Sequence, residues 1–326
     1  MRRTSIEPQK RGPVSLDFAI LRERYREGRE SLGFDPRISP EVIAGRLRVS
    51  PATVRRRLAE WRARGFFRGY DVLPHPGLLG GRYAVRVMDF PNAVAQENAL
   101  GPLSLIDGVI QIVPSRNMLM VAYFVDSDAQ AERRSKQFEG IDGLNEMGSE
   151  MTFVLPPCAR PMSRPDWRLL RALRQNPEAK LADLAGEVGQ SQKTTSRRFD
   201  SLLDQGALMF DPILDYSRFS QTLAVLVAFL DSPDRAHSVE REVQTLLPQA
   251  MRSWGPVPTD PAEWTSNVEF LVAARTAGEL DALTARVAHV PGVDQALLWH
   301  PRLTLSVPDW LNERIDNLLK AIPPGG

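Results

Sequence analysis

Between Pro51 and Arg64 the chain carries five arginines, Arg55, Arg56, Arg57, Arg62 and Arg64, against one acid, Glu60. Guanidinium groups at this density suit one chemistry above others: charge-assisted hydrogen bonds to phosphate oxygens and to the edges of guanine. The 326-residue chain has a formal net charge of only +1, so the concentration of charge is local. If the stretch is a helix facing DNA, Ser50, Ala52 and Thr53 lie at its start, where backbone N–H groups can hold a phosphate. Arg55, Arg56, Arg57 and Arg62 lie along it. The bland alternative is a solvated helix face on a protein with another role.

A helix is what the pattern predicts. Val54, Leu58 and Trp61 recur at i, i+4 and i+7, which turns Arg55 and Arg56 outward and leaves Arg57 at the rim. Ser50-Pro51 is a start signal, Gly65 a left-handed stop, and "FFRGYDVL" reads as a strand. Ser39-Pro40-Glu41 starts an earlier helix with Val42, Ile43 and Leu47 on one side. Asp17 caps another, containing Phe18, Ile20, Leu21 and Tyr25. Two short helices separated by a tight turn, with a strand after them, make a winged helix-turn-helix.

The chain then repeats itself. A shift of 141 residues aligns Ile38 to Leu73 with Ala179 to Leu214 without a gap. Ala44, Gly45, Ser50, Thr53, Arg56, Arg57 and Gly65 fall on Ala185, Gly186, Ser191, Thr194, Arg197, Arg198 and Gly206. Upstream, "LDFAILRERYREG" resembles "PDWRLLRALRQNP", with extra residues in the first copy around "ESLGFDPR". The second set of candidate DNA contacts is therefore Ser191, Lys193, Thr194, Arg197 and Arg198. From Arg46 to Arg68 there are eight arginines and one glutamate; Glu187 to Met209 holds three basic and three acidic residues. Phosphate neutralisation scales with the number of cationic contacts, so the first copy is the expected main reader.

After each winged helix the period changes. "GRYAVRVMDF", a helix near Ala93 to Leu105, "GVIQIVP", "NMLMVAYFV", a helix over "SDAQAERRSKQF" and "EMTFVL" give β-α-β-β-α-β, a ferredoxin-like sandwich. The second copy matches with "QTLAVLVAFL", "QAMRSWG", "NVEFLVAA" and "DQALLWH" and the helices between them. The expected fold class is α+β: winged helices at about 15–75 and 163–218, sandwiches at about 80–155 and 220–307, and a C-terminal helix and tail at 308–326. A linker is expected at "LPPCARPMSRP", whose prolines cannot donate backbone hydrogen bonds. Alternating "YAVRVMDF" and "LAVLVAFL" leave one sheet face apolar, so the sandwiches should pair with each other or with another chain.

Cys158 is the only cysteine, which excludes an intrachain disulfide and a multi-cysteine metal site. The four histidines have no ligand spacing, and no nucleophilic triad or glycine-rich phosphate loop is present. No metal and no cofactor are expected. No apolar run approaches membrane length, and the basic N-terminus lacks an apolar segment, so the expectation is a cytoplasmic protein without a membrane partner.

A winged helix-turn-helix joined to a βαββαβ domain resembles the Lrp/AsnC family of transcription regulators. The motif that carries the likeness is "LRVSPATVRRRLAEWRARGFFRGYDVL": Leu-Ser-Pro, a variable turn, arginine, then Gly and Tyr. "VGQSQKTTSRRFDSLLDQGAL" keeps the serine, Arg198 and the glycine. The resemblance implies a sequence-specific regulator of double-stranded DNA that forms dimers and binds a small effector, often an amino acid. The family's Gly-Asp turn between the middle strands is replaced here by "PSRN" and "GPVPTDPAEWTS", so Arg116, Asn117 and Trp264 are the effector candidates. Siroheme decarboxylases share this architecture and also occur as two fused copies. The likeness implies that they use basic residues, histidine included, near the middle strands. Those strands here carry Arg116 and Arg252 and no histidine, so a regulator and no enzyme is expected.

Overall fold

Local signals set the helices. In the computed structural model, which describes residues 15–24, 36, 38–148, 150–153, 155, 158, 161–253, 257–258 and 267–323, three helices come first. They are α1 (Leu16–Arg24), α2 (Pro40–Leu47) and α3 (Pro51–Ala63). Ser39 and Ser50 each accept from the N–H three residues on, with a proline at the first helical position. Gly65, at φ 74°, supplies the left-handed residue after α3. Val54 and Trp61 of α3 are buried, as the i, i+7 spacing requires.

Strand β1 (Phe67–Pro74) follows, then β2 (Arg82–Asp89), α4 (Ala93–Ser104), β3 (Val109–Ser115), β4 (Met118–Val125), α5 (Asp128–Glu139), β5 (Glu146–Met147) and β6 (Met151–Thr152). The same order recurs in α6 (Arg164–Gln175), α7 (Leu181–Val188), α8 (Gln192–Asp204), β7 (Leu208–Leu214), β8 (Thr222–Leu230), α9 (Ala236–Leu246) and β9 (Met251–Ser253). After β10 (Val257–Pro258) come β11 (Asn267–Ala274), α10 (Ala277–Val287), β12 (Val293–Trp299), β13 (Leu305–Ser306) and α11 (Asp309–Ala321). Winged helices and ferredoxin-like sheets are both present, so the fold class is α+β. The closing strand expected over "EMTFVL" is short: β5 and β6 both pair with β2, and Gly148 N–H bonds Val87 O between them.

The strand read as a wing finds its partner far along the chain. β1 pairs antiparallel with β7, with Tyr70 opposite Pro212 and Asp71 opposite Asp211. The 141-residue shift carries Tyr70 to Asp211 and Asp71 to Pro212, so it exchanges these two facing pairs, which makes the ribbon a pseudo-twofold joint between the two winged helices. Aromatic rings lock it: Phe219 lies 4.7 Å from Phe66 and 6.2 Å from Trp61, and Tyr70 meets Phe210 edge-on at 5.7 Å.

The second half contributes strands beyond its own sheet. The first sheet runs β10-β6-β2-β4-β3-β13, so strands from the second half cap both of its edges. The second sheet is β12-β8-β11-β9. Ala84, Met88, Val121 and Phe138 form one core beneath α4 and α5, and Leu226, Phe270 and Val239 its counterpart. Tyr83, Val85 and Phe124 from the first sheet share a single apolar cluster with Leu223, Met251 and Leu271 from the second. That cluster also takes in Trp61, Phe210 and, from α11, Leu311 and Ile315. Trp310 of α11 stacks on Phe124 at 5.1 Å. The apolar sheet faces are therefore covered within one chain.

Candidate nucleic-acid interface

Both candidate recognition helices start at a paired hydroxyl cap. Ser50 Oγ accepts from the Thr53 N–H at 3.1 Å and lies 2.8 Å from Thr53 Oγ1. Ser191 and Thr194 repeat this at 3.3 and 3.0 Å. Ala52 and Lys193 stand exposed in the first turns.

Arg55 and Arg56 project outward from α3, on the face away from Val54 and Trp61. Arg55 pairs with Glu41 of α2, and Arg56 with Glu60 at 2.5 Å. The two arginine side chains are each 58% exposed. Exposed pairs of this kind are worth about 0–1 kcal/mol, so an incoming phosphate can compete for either guanidinium. Glu41 is held below the usual carboxylate range by its own backbone N–H and the Ser39 hydroxyl, with Arg55 adding to the effect. In the second unit Arg197 and Lys193 are exposed and have no ion pair among the described residues.

Arg57 and Arg198, which occupy the same repeat position, are engaged inward. Arg57 Nε lies 3.8 Å from Asp17 Oδ1, and Arg64 reaches Asp17 Oδ2 at 3.4 Å. Arg198 Nη1 lies 2.9 Å from Asp166 Oδ1 and donates to Ser163 Oγ; its Nε donates to Gln190 Oε1 at 2.8 Å. Asp166 is fully buried and also accepts the Ser163 N–H and hydroxyl, at 2.9 and 2.6 Å. Each arginine thus ties the third helix of its unit to the first. Arg62 is turned sideways: it pairs with Glu178 ahead of α7 in the other half, and lies 5.3 Å over the Phe67 ring. The sequence offered Asp17 only as a helix cap, a place that Ser15 takes by accepting the Phe18 N–H at 3.2 Å, and offered no role for Asp166.

Beneath the two units, the ribbon sets Asp71 and Asp211 side by side. Asp71 has a cation, Arg174 at 3.0 Å, and the Ser306 hydroxyl at 2.5 Å. Among the described residues Asp211 has only the neutral amide of Gln111. Burial pushes the Asp211 carboxyl up to about 6; the Gln111 hydrogen bond pulls against this, and the Asp71 charge adds to it.

The effector candidates are not brought together. Arg116 occupies the β3–β4 turn at φ 41°, with Asn117 beside it, and Trp264 lies outside the described residues. The second half of the chain braces that turn. The Arg302 N–H donates to Pro114 O at 2.8 Å, and its guanidinium to Gln96 Oε1 at 2.6 Å. Among the described residues no group of three His, Cys, Asp or Glu is placed to hold a metal, and no helix is long and apolar enough to cross a membrane.

Fold and surface together define a protein with two winged helix-turn-helix units joined to two ferredoxin-like sheets. Residues 162–208 match the family model of the winged helix-turn-helix DNA-binding domain. No curated protein matches the chain. The crystal structure of the siroheme decarboxylase NirDL in co-complex with an iron-uroporphyrin III analogue is 12% identical, with a TM-score of 0.51, over 94% of this chain and 99% of that one. A second NirDL structure gives 12% and 0.50 over the same shares. E. coli AsnC is 18% identical over 45% of this chain and 95% of its own, with a TM-score of 0.29. The expectation that the chain is no enzyme is corrected by this result. The architecture is, end to end, that of a solved enzyme, so neither the helix-turn-helix units nor the middle strands without histidine exclude catalysis.

Proposed function

We propose that the protein is a sequence-specific, DNA-binding regulator of the Lrp/AsnC type, in which one chain carries both halves of the binding unit. The winged helices are residues about 15–75 and 163–218, the sandwiches about 80–155 and 220–307, and residues 308–326 the C-terminal helix and tail. The observation that carries the reading is the outward pair Arg55 and Arg56 on a serine-capped α3, in a unit repeated across a pseudo-twofold ribbon. Ser50, Ala52, Thr53, Arg55 and Arg56 contact DNA from the first unit; Ser191, Lys193, Thr194 and Arg197 contact it from the second. Arg57, Arg62 and Arg198 support these surfaces from behind. A small effector, such as an amino acid, is taken near Arg116 and Asn117, and two chains associate as a homodimer. The test is binding to the promoter region of its own gene, or to sites selected from random duplexes, over a range of salt. Affinity should fall linearly in log salt. An affinity that is absent, or independent of salt, sinks the reading.

A second reading, a tetrapyrrole enzyme like the siroheme decarboxylases, is favoured by the end-to-end likeness to NirDL and by the number of α3 arginines held in internal ion pairs. Its test is the visible spectrum of the protein titrated with an iron-uroporphyrin III. A saturable shift in the absorbance bands, followed by loss of carboxylates from added siroheme, would establish it.

A further inference from the structure

Among the arginines between residues 46 and 68, Arg48 stands apart. Arg46, Arg55, Arg56, Arg57, Arg62, Arg64 and Arg68 each have a carboxylate partner: Glu23, Glu41, Glu60, Asp17 with Glu60, Glu178, Asp17 and Asp215 respectively. The Arg48 side chain is exposed and has neither an ion pair nor a hydrogen bond among the described residues. It occupies the turn between α2 and α3 in a left-handed conformation, φ 56° and ψ 43°. Non-glycine residues are uncommon there, and glycine is the usual occupant of a helix stop.

The second unit has that glycine. Gly189, at the matching position, has φ 72°. It does not leave the corner without a cation. A Cβ at Gly189 would lie 4.0 Å from Nη1 of Arg168, which reaches over from α6. Arg168 is also exposed, and it too has no partner among the described residues. Its counterpart in α1 of the first unit is Ala19. The halves have therefore exchanged the position of the charge: Arg48 with Ala19 in one, Gly189 with Arg168 in the other. Both arrangements set one uncommitted guanidinium beside the turn that leads into the recognition helix.

We propose that these two corners are phosphate-contact points, Arg48 in the first unit and Arg168 in the second, each gripping the DNA backbone next to the groove its helix reads. The proposal rests on the DNA-binding reading and adds two residues to it. The left-handed backbone at Arg48 closes α2 through its N–H to Ala44 O, a bond that needs no arginine; the side chain has no partner among the described residues, and an external anion would supply one. A planar guanidinium suits a phosphate oxygen from either direction of approach. Contacts of this type position the protein on the duplex and carry no sequence information.

The experiment measures affinity for duplex DNA against salt for the full chain, with Arg48→Gly, Arg168→Ala and the double variant. Arg48→Gly installs the residue that the other half already uses at this turn, so the helix stop is kept. Each single variant should flatten the log–log salt slope by about one unit and the double by about two, with base preference unchanged. Arg133→Ala, at an exposed arginine of α5 on the first sandwich, should keep the wild-type slope. If wild type binds with a steep slope and both singles retain it, this proposal falls while the DNA reading stands. A change in one variant alone overturns the equivalence of the corners. Wild type without salt-dependent binding removes the DNA reading and this proposal with it.

Discussion

In the first winged helix, Asp17 lies between two arginines, Arg57 at 3.8 Å and Arg64 at 3.4 Å. In the second, among the described residues, Asp166 pairs with Arg198 at 2.9 Å and adds two hydrogen bonds from Ser163, at a helix start that carries a capping box. Chain position is matched; the commitment of charge is not. The first unit spreads loose pairs over a surplus of arginines, most of them part-exposed. Among the described residues the second sets a short pair at a fully buried acid and leaves Lys193 and Arg197 without an ion pair. Counting charges along the sequence ranks the first unit as the stronger DNA reader. Counting uncommitted cations narrows the gap, because most of the first unit's arginines already hold carboxylates.

The largest effect should come from cutting the buried pair. Arg198→Ala removes a 2.9 Å ion pair at the fully buried Asp166, and breaking a buried pair destabilises by about 3–5 kcal/mol. Arg57→Ala should do much less, since Arg64 still faces Asp17. Denaturant unfolding of the two variants checks this; equal losses would mean that the two acids are equivalent after all.

The ribbon comes next, because its two carboxylates also differ. Asp211 has its pKa raised from 3.8 to about 6, so the folded chain binds this proton more tightly than the unfolded chain does. Stability from this group is present below the unfolded value and is lost as pH rises through about 4 to 6, on the order of 2–3 kcal/mol. Asp211→Asn should therefore match wild type near pH 4 and melt at a higher temperature than wild type above pH 7. Parallel melting profiles for the two proteins would show that Asp211 is not the group responsible.

On DNA, Arg56→Ala should weaken binding by about 1–3 kcal/mol if the residue reads guanine, with specificity relaxed at one position. Arg197→Ala, measured on the same duplex, tests the ranking of the two units. An equal loss would show that the uncommitted cations matter more than the total charge. The smallest and most symmetric effect belongs to the caps: Ser50→Ala and Ser191→Ala should each cost about 1 kcal/mol of stability. A clear inequality there would show that the two helices differ in their start as well as their charge.

The helices and their starts were legible because a cap acts through the residues that immediately follow it. Ser39-Pro40 and Ser50-Pro51 announced α2 and α3 from neighbours three positions on. Strand periodicity placed β2, β3, β4, β8 and β11 for the same kind of reason. The site was legible in part. Arg55 and Arg56 face outward as the i, i+4 spacing of Val54 and Leu58 demands. The inward turn of Arg57 and Arg198 could not be read from that spacing, because their partners Asp17 and Asp166 lie 40 and 32 residues upstream.

By itself the sequence determined the order of elements and the solvent-facing side of α3. These follow from contacts between residues one to seven positions apart. Only the tertiary structure decided that β1 pairs with β7, that β10 and β13 cap the first sheet, and that Arg62 meets Glu178 across the joint. It also decided that Arg168 comes to rest beside Gly189. Strand register and ion pairing between distant segments depend on how the packed faces meet in space. Many pairings are open to the same chain until burial of Trp61, Phe66, Phe210 and Phe219 in one cluster leaves a single arrangement.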